Sequence, residues 1–314
     1  IYPFARNHNN VNTLGQEPYQ SMFDNPMEGD ESVLARDVIR RAMMIRYGLH
    51  EYIYTLFHRA STEGEIPIKP IFFNHPHDEM AFQNIHNNVM LGNAIKASPD
   101  TEIFGPSTYY FPEDVDWCPI WGAINSDCIR GGTSLETEVP DMELLLHLGA
   151  GHMIPQQLSK EEDLMKREDI RSLDDLQNEY TDIALFINNN NIAEGVVRFD
   201  DGEGIDFTLY DEIKFHSQRL NPFLGPATLN ITFEVTQQTN PGPMTNSQML
   251  GNIIIHDARS ISMSSAEGHL KERNGKIYAL SVQYNSDLDV SWVSYGTIEN
   301  IAIRDIEEIF LEVV

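Results

Sequence analysis

The chain has 314 residues, 41% hydrophobic and 22% charged, with 21 Lys and Arg against 48 Asp and Glu for a formal net charge of −27. That length accommodates about two domains with buried cores, and the ordinary hydrophobic share argues against disorder. A surface this negative repels phosphate backbones and anionic lipid heads, so nucleic acid and membrane surfaces are not expected partners.

In chain order, the first stretch is "IYPFARNHNN", an apolar run meeting Arg6, Asn7, His8 and Asn9 without Met or a targeting segment. The expectation is that the chain starts inside a larger protein. Polar residues after a short strand are placed as active-site residues are in a barrel, whose strand C-termini face the chemistry. Arg can orient a carboxylate through paired hydrogen bonds, and neutral His can bond a sugar hydroxyl. The plain alternative is a solvated turn.

Leu34, Val38, Ala42, Ile45, Leu49, Ile53, Leu56 and Ala60 recur at steps of three and four, which predicts one helix over 32–61. Asp30 and Ser32 supply capping oxygens, and Gly64 and Pro67 stop it. Gly48 inside it costs about 1 kcal/mol of helix propensity relative to Ala.

After Pro67 the pattern becomes short apolar runs broken by Pro, Gly and Asn. "IPIKPIFF", "NNVMLGNAI", "STYYFP", "MELLLHLGAGHMIP", "DIALFINN", "GVVRFDD", "IDFTLYDEIKF", "ATLNITFEV", "NIIIHDA", "KIYALSVQY", "DVSWVS" and "IENIAIRDIEEIFLEVV" read as strands. Their number favours sandwich or barrel modules over a parallel sheet. The charged stretch after "HMIPQQ", a solvated helix or linker, marks a domain boundary. No apolar run reaches the roughly 18 residues needed to span a bilayer.

Several constellations have both a chemical and a structural reading. His75, His77 and Asp78 in "NHPHDE" could ligate a metal, but Pro76 and the lack of a companion cluster favour a surface loop. "DDGEGID" has calcium-loop carboxylates without EF-hand spacing, and a hairpin turn on Asp201-Gly202 fits better. Tyr109, Tyr110, Phe111, Trp117 and Trp121 could stack on sugars, or pack a core. Cys118 and Cys128 make either one local disulfide or two buried thiols. Asn230-Ile231-Thr232 is a glycosylation sequon if the chain is secreted.

"YPFARNHNN", then "QEPY", "RYGLHEYIYTLFHRASTEGEIPIKPIFFNHP", "YYFPEDVDW", "LHLGAGHMIPQQ" and "GVVRFDDGEG", in this order, resemble glycoside hydrolase family 31, the α-glucosidase-like enzymes. The resemblance covers about residues 1–210; the last hundred share only β character. It implies a mainly β chain with an α/β remnant, in which the last strand and helix of a (β/α)8 barrel precede two β-sandwich modules. The implied domains are 1–67 as the end of the catalytic barrel, 68–157 as a proximal sandwich, and 158–314 as linker and distal sandwich. His8 matches the family histidine that contacts the sugar where the bond is cut, and Arg6 an arginine supporting that pocket.

Family members hydrolyse α-glycosidic bonds with retention through a nucleophile Asp and an acid–base Asp. The motifs carrying that pair are absent from these residues, so no catalytic residue is assigned here. The expectation is a C-terminal portion of an α-glucosidase, inactive alone, whose catalytic pair lies upstream. The implied partners are an α-glucoside or oligosaccharide and the preceding barrel segment; no metal or cofactor is implied, and a lysosomal or secreted parent is favoured. Gly149 stands where the family suggests Arg, His152 where it suggests an aromatic, and "FFNHPHDE" replaces a usually acidic, aromatic stretch. The alternative is a noncatalytic β-sandwich module that binds carbohydrate or buttresses a partner. A third reading is a chain that folds only with its missing half, since a lone barrel strand and helix expose unpaired edges and apolar faces.

Overall fold

The computed structural model describes residues 2, 4, 35–83, 85–99, 105–121, 127–138, 145–159, 167–220, 227–239, 245–257, 265–287, 289–295 and 300–313. Instead of one helix, the apolar stripe forms two in tandem, α1 (Ala35–Gly48) and α2 (His50–Glu63). Ile45, Leu49, Ile53 and Leu56 of the stripe are buried, joined by Met44 and Tyr52, but Ala42 is exposed and Val38 and Ala60 are half-buried; Leu34 and the capping candidates Asp30 and Ser32 lie outside the described residues. The interruption has a tertiary cause. Gly48 gives its carbonyl to the Gln157 N–H at 2.7 Å, and a Cβ on Gly48 would sit 2.7 Å from both the Gln157 carbonyl oxygen and the Trp121 ring. A glycine that weakens the helix locally lets a second segment pass against it. At the other end Gly64, at φ +76°, caps α2 by donating to the Ala60 carbonyl at 3.1 Å.

Beyond the helices the chain is mostly β. A five-stranded antiparallel sheet runs in the order β1 (Ile68–Pro70), β2 (Val89–Leu91), β3 (Ile95–Ser98), β7 (Leu145–Gly149), β5 (Trp117–Pro119). Beside it β4 (Ser107–Phe111) pairs with β6 (Thr133–Thr137). Cys118 in β5 is disulfide-bonded to Cys128, resolving the two sequence alternatives, and Trp117 bridges to Ile129 across it. Trp117, Tyr109, Tyr110 and Phe111 pack into one core cluster and Trp121 into another. None of these five rings is free to hold a sugar.

At Ala150-Gly151 the chain turns from β7 into β8 (His152–Gln156), which belongs to a different sheet. This is a closed ring of ten strands: β8, β9 (Thr181–Phe186), β13 (Leu250–His256), β16 (Val290–Tyr295), β15 (Ile277–Asn285), β14 (Ala266–Glu272), β17 (Ile306–Val313), β12 (Thr228–Gln238), β11 (Asp211–Leu220) and β10 (Ile192–Phe199), which returns to β8. Only the β8–β10 and β9–β13 pairings are parallel. Alternation decides which side chains fill the ring, as period-2 geometry requires. Leu229, Ile231 and Phe233 of β12 point in, with Val197, Phe199, Ile213, Phe215, Ile309 and Leu311. Ile154, Ala184, Phe186 and Ile254 point out, and pack under α1, α2 and the five-stranded sheet.

The charged stretch after Gln157 is no free linker where described: Ile170 and Leu176 are buried in that second core. "IDFTLY", expected to begin a strand, is instead a loop leading to β11. Among the described residues no helix is long and apolar enough to cross a membrane.

Candidate functional site

Among the described residues a cluster of charged side chains lies where α2 meets β10 and β11. In β10, Val197 and Phe199 enter the ring core, so Arg198 between them must point outward, toward α2. There Thr55, His58 and Thr62 recur at helical spacing on one face. The Arg198 N–H donates to the Thr55 hydroxyl at 3.0 Å, and that hydroxyl donates to the Glu51 carbonyl at 2.8 Å. The Arg198 guanidinium donates to Glu212 at 2.6 Å, to the Thr62 hydroxyl at 2.9 Å and to His58 Nδ1 at 3.2 Å, and it also pairs with Glu63. Glu212 accepts from the Thr236 hydroxyl at 2.6 Å.

Two rings complete the seat. Tyr210 lies 4.8 Å from the guanidinium and 4.5 Å from the His58 ring. Burial and then the Arg198 charge lower the His58 pKa, so the ring is neutral and its Nδ1 accepts. Burial works against ionised Glu63 and Glu212, but bonding to Arg198 and, for Glu212, Thr236 outweighs it and lowers both pKa values.

One turn earlier Tyr54 donates to both Asp200 carboxylate oxygens, at 2.8 and 2.7 Å. Buried Glu51 has a pKa raised to about 8, by desolvation first and the Asp200 charge second. Arg198, Glu212 and Thr55 are bonded on several sides, while the buried His58 Nε2 has no hydrogen-bond partner among the described residues. This is the chemistry of a rigid joint between helix and ring, not of a group poised to react.

A second buried titratable group sits in the five-stranded sheet. Lys96 is fully buried, bonds Ser98, and lies 4.3 Å over the Phe111 ring. Opposite it in register is His147. Desolvation lowers the Lys96 pKa to about 7, and desolvation followed by the Lys96 charge lowers that of His147 to about 3.

Arg6 and His8 lie outside the described residues. Residues 75–78 form a turn with Pro76 and His77 exposed, as the loop reading expects, but His75 and Asp78 turn inward. His75 is buried against Asp114 at 2.6 Å, and Asp78 accepts from the Tyr110 hydroxyl at 2.7 Å and the Met80 and Glu113 N–H groups. His77 is exposed, and among the described residues no three His, Cys, Asp or Glu converge as a metal would need. Asp201 and Gly202 do sit in the turn joining β10 to β11, with Asp201 accepting from the Glu203 and Gly204 N–H groups. Asn230 of the sequon is half-buried inside β12, opposite Phe310.

The Arg198 joint was missed as a site. Its one signal is an isolated Arg in the apolar run "GVVRF", just ahead of Asp200.

No protein-family model matches the chain. Curated relatives do. One, from Arthroderma benhamiae and named "Probable alpha/beta-glucosidase", is 30% identical over 218 residues, covering 68% of this chain and 22% of its own. The lysosomal alpha-glucosidase of Bos taurus is 29% identical, covering 65% of this chain and 21% of its own. In fold the chain is similar to a dextranase from Flavobacterium johnsoniae, described as a GH31 enzyme, with a TM-score of 0.64 and 16% identity over 91% of this chain and 33% of that one. The chain thus spans about a fifth of the length of these curated relatives. Its relatives are glycoside hydrolases of the α-glucosidase kind. The chain belongs to glycoside hydrolase family 31.

Proposed function

We propose that this chain is the C-terminal part of a retaining α-glycosidase acting on α-glucosides. Its nucleophile and acid–base Asp lie in a segment that precedes it in the parent enzyme. In this reading residues 1–67 close the catalytic (β/α)8 barrel, 68–157 and 158–314 are the β modules that buttress it, and Arg6 and His8 line the sugar pocket. A retaining pair needs two carboxyl groups about 5–5.5 Å apart on either side of the scissile bond. Among the described residues the carboxyl whose pKa is raised is Glu51, buried on the inner face of α2, and its neighbour Asp200 is committed to Tyr54.

The observation that carries the reading is the sequence similarity to glucosidases over two thirds of the chain; the role of the Tyr-Pro-Phe-Ala-Arg-Asn-His opening at the sugar rests on the family resemblance. The test is nitrophenol release from a nitrophenyl α-glucoside. The 314-residue chain alone should release none and the parent should be active, with kcat/KM falling strongly on His8→Ala. Turnover by the chain alone, or an unchanged rate for that variant, overturns the reading.

Phe73 and Phe82 support the second, noncatalytic reading. Both are about half exposed, and Phe82 is stacked on Phe72 at 4.9 Å. It expects residues 68–314 to bind a glucan without the rest of the enzyme.

A further inference from the structure

Surface loops ordinarily turn carboxylates outward and apolar side chains inward. The 200–210 connection between β10 and β11 keeps the first habit and breaks the second: Asp201, Glu203 and Asp206 are exposed, and so are three apolar side chains. Ile205 is 97% exposed, Phe207 53% and Leu209 39%, at alternate positions along the chain. The aspartates are engaged by the protein itself. Asp200 takes the Tyr54 hydroxyl and the Gly202 N–H, and Asp201 takes the N–H groups of Glu203 and Gly204. Asp206 takes the N–H and hydroxyl of Thr208 and, through its carbonyl, the N–H of Leu209. Thr239 fixes the far end by accepting from the Tyr210 N–H at 3.1 Å and donating to the Tyr210 carbonyl.

The loop is therefore held at both ends, with its apolar residues presented in a set shape. A pre-shaped strip loses little conformational entropy on docking, and clustered exposed apolar side chains mark an interaction surface where single ones do not. Its footing is the Tyr54–Asp200 contact, so it continues the joint between α2 and the ring. Phe57, 39% exposed, lies one helical step beyond Tyr54 on the same helix. What covers the strip follows from length and charge. The matched relatives are several times longer than this chain, whereas a second copy would bring another −27 of charge and repel it.

We propose that Ile205, Phe207 and Leu209 form a docking strip for the catalytic barrel body that precedes this chain in the parent enzyme. The inference rests on the function proposed above, and names the surface through which the distal β body holds its partner.

The chain's two cysteines are bonded to each other, so Ile205→Cys introduces one free thiol, whose reaction with a maleimide can be followed by mass on its own peptide. Ile277→Cys, at a position 61% exposed on β15, is the reference. In the isolated chain both should react fast. In the parent, position 205 should slow by about tenfold or more while position 277 does not, because a covered thiol reacts only on local opening. Equal rates at 205 in chain and parent, with the parent hydrolysing nitrophenyl α-glucoside, overturn the strip and leave the proposed function standing. A 205 thiol slow in the isolated chain and faster on dilution overturns it in favour of a second copy. A native protein with no preceding barrel overturns both.

Discussion

Thr55 and Arg198 are joined by a hydrogen bond that ties helix to sheet through a main-chain donor: the Arg198 N–H reaches the Thr55 hydroxyl at 3.0 Å. The same Thr55 hydroxyl is bonded back to α2 at the Glu51 carbonyl. Arg198 is thus fixed twice, by its backbone and by a guanidinium spread over Glu63, Glu212, His58 and Thr62.

Replacing Arg198 with Met should destabilise the chain by about 3–5 kcal/mol, because Glu212 loses its counter-charge in a place where water reaches it poorly, whereas Glu63 is exposed and keeps Arg59. Adding Glu212→Gln should recover part of that loss. Urea titrations of the single and double variants measure it; an R198M midpoint within error of the parent sequence would show that the network contributes nothing net.

Glu51 makes stability depend on pH in one direction. Its folded pKa of about 8 lies above its ordinary 4.5, so its contribution is complete below pH 4.5 and is lost as pH rises through 8. Glu51→Gln should flatten the alkaline part of the stability profile and leave stability near pH 4 almost unchanged. An equal slope in both proteins between pH 5 and 8 would refute the assignment.

Lys96 acts in the opposite sense. Its folded pKa of about 7 is below its ordinary 10.5, so its contribution is present above pH 10.5 and is lost as pH falls through 7. Below pH 7 the folded chain buries a cation with only Ser98 and an aromatic face as company. Lys96→Met should therefore raise the melting temperature at pH 6 more than at pH 10; the reverse order would contradict this account.

Gly48→Ala sets helix propensity against close packing. Ala is favoured by about 1 kcal/mol in a free helix, but its methyl would meet the Gln157 carbonyl and the Trp121 ring at 2.7 Å. Overpacking of that kind costs about 1–3 kcal/mol, and the net effect on a denaturation midpoint should be destabilising. A stabilised variant would mean that Gln157 yields easily.

The sequence was legible wherever the cause of structure was local. The apolar period of α1 and α2, the Gly64 stop and the alternation in β12 are properties of neighbouring residues, and all appear in the fold. The break at Leu49 was not legible because its cause is Gln157, more than a hundred positions away. Arg198 was hidden for the same reason, since its bond to Thr62 joins residues 136 positions apart. The β14 strand, "AEGHLKE", buries only Ala266 and Leu270 fully and carries too little apolar signal to be seen. "IDFTLY" has the alternation of a strand with no neighbour to pair with, and it became the exposed loop. The candidate sugar contacts Arg6 and His8 rest on the family resemblance alone.

The position of β17 sets the order in which this protein can be finished. It is the last described strand in the sequence, yet it lies between β12 and β14, pairing with both. While the chain is being synthesised, those two strands must wait with open edges until residues 306–313 have left the ribosome. The ring closes only once residues 306–313 are available, and a chain lacking them would carry a sheet with two unpaired edges and a route to aggregation.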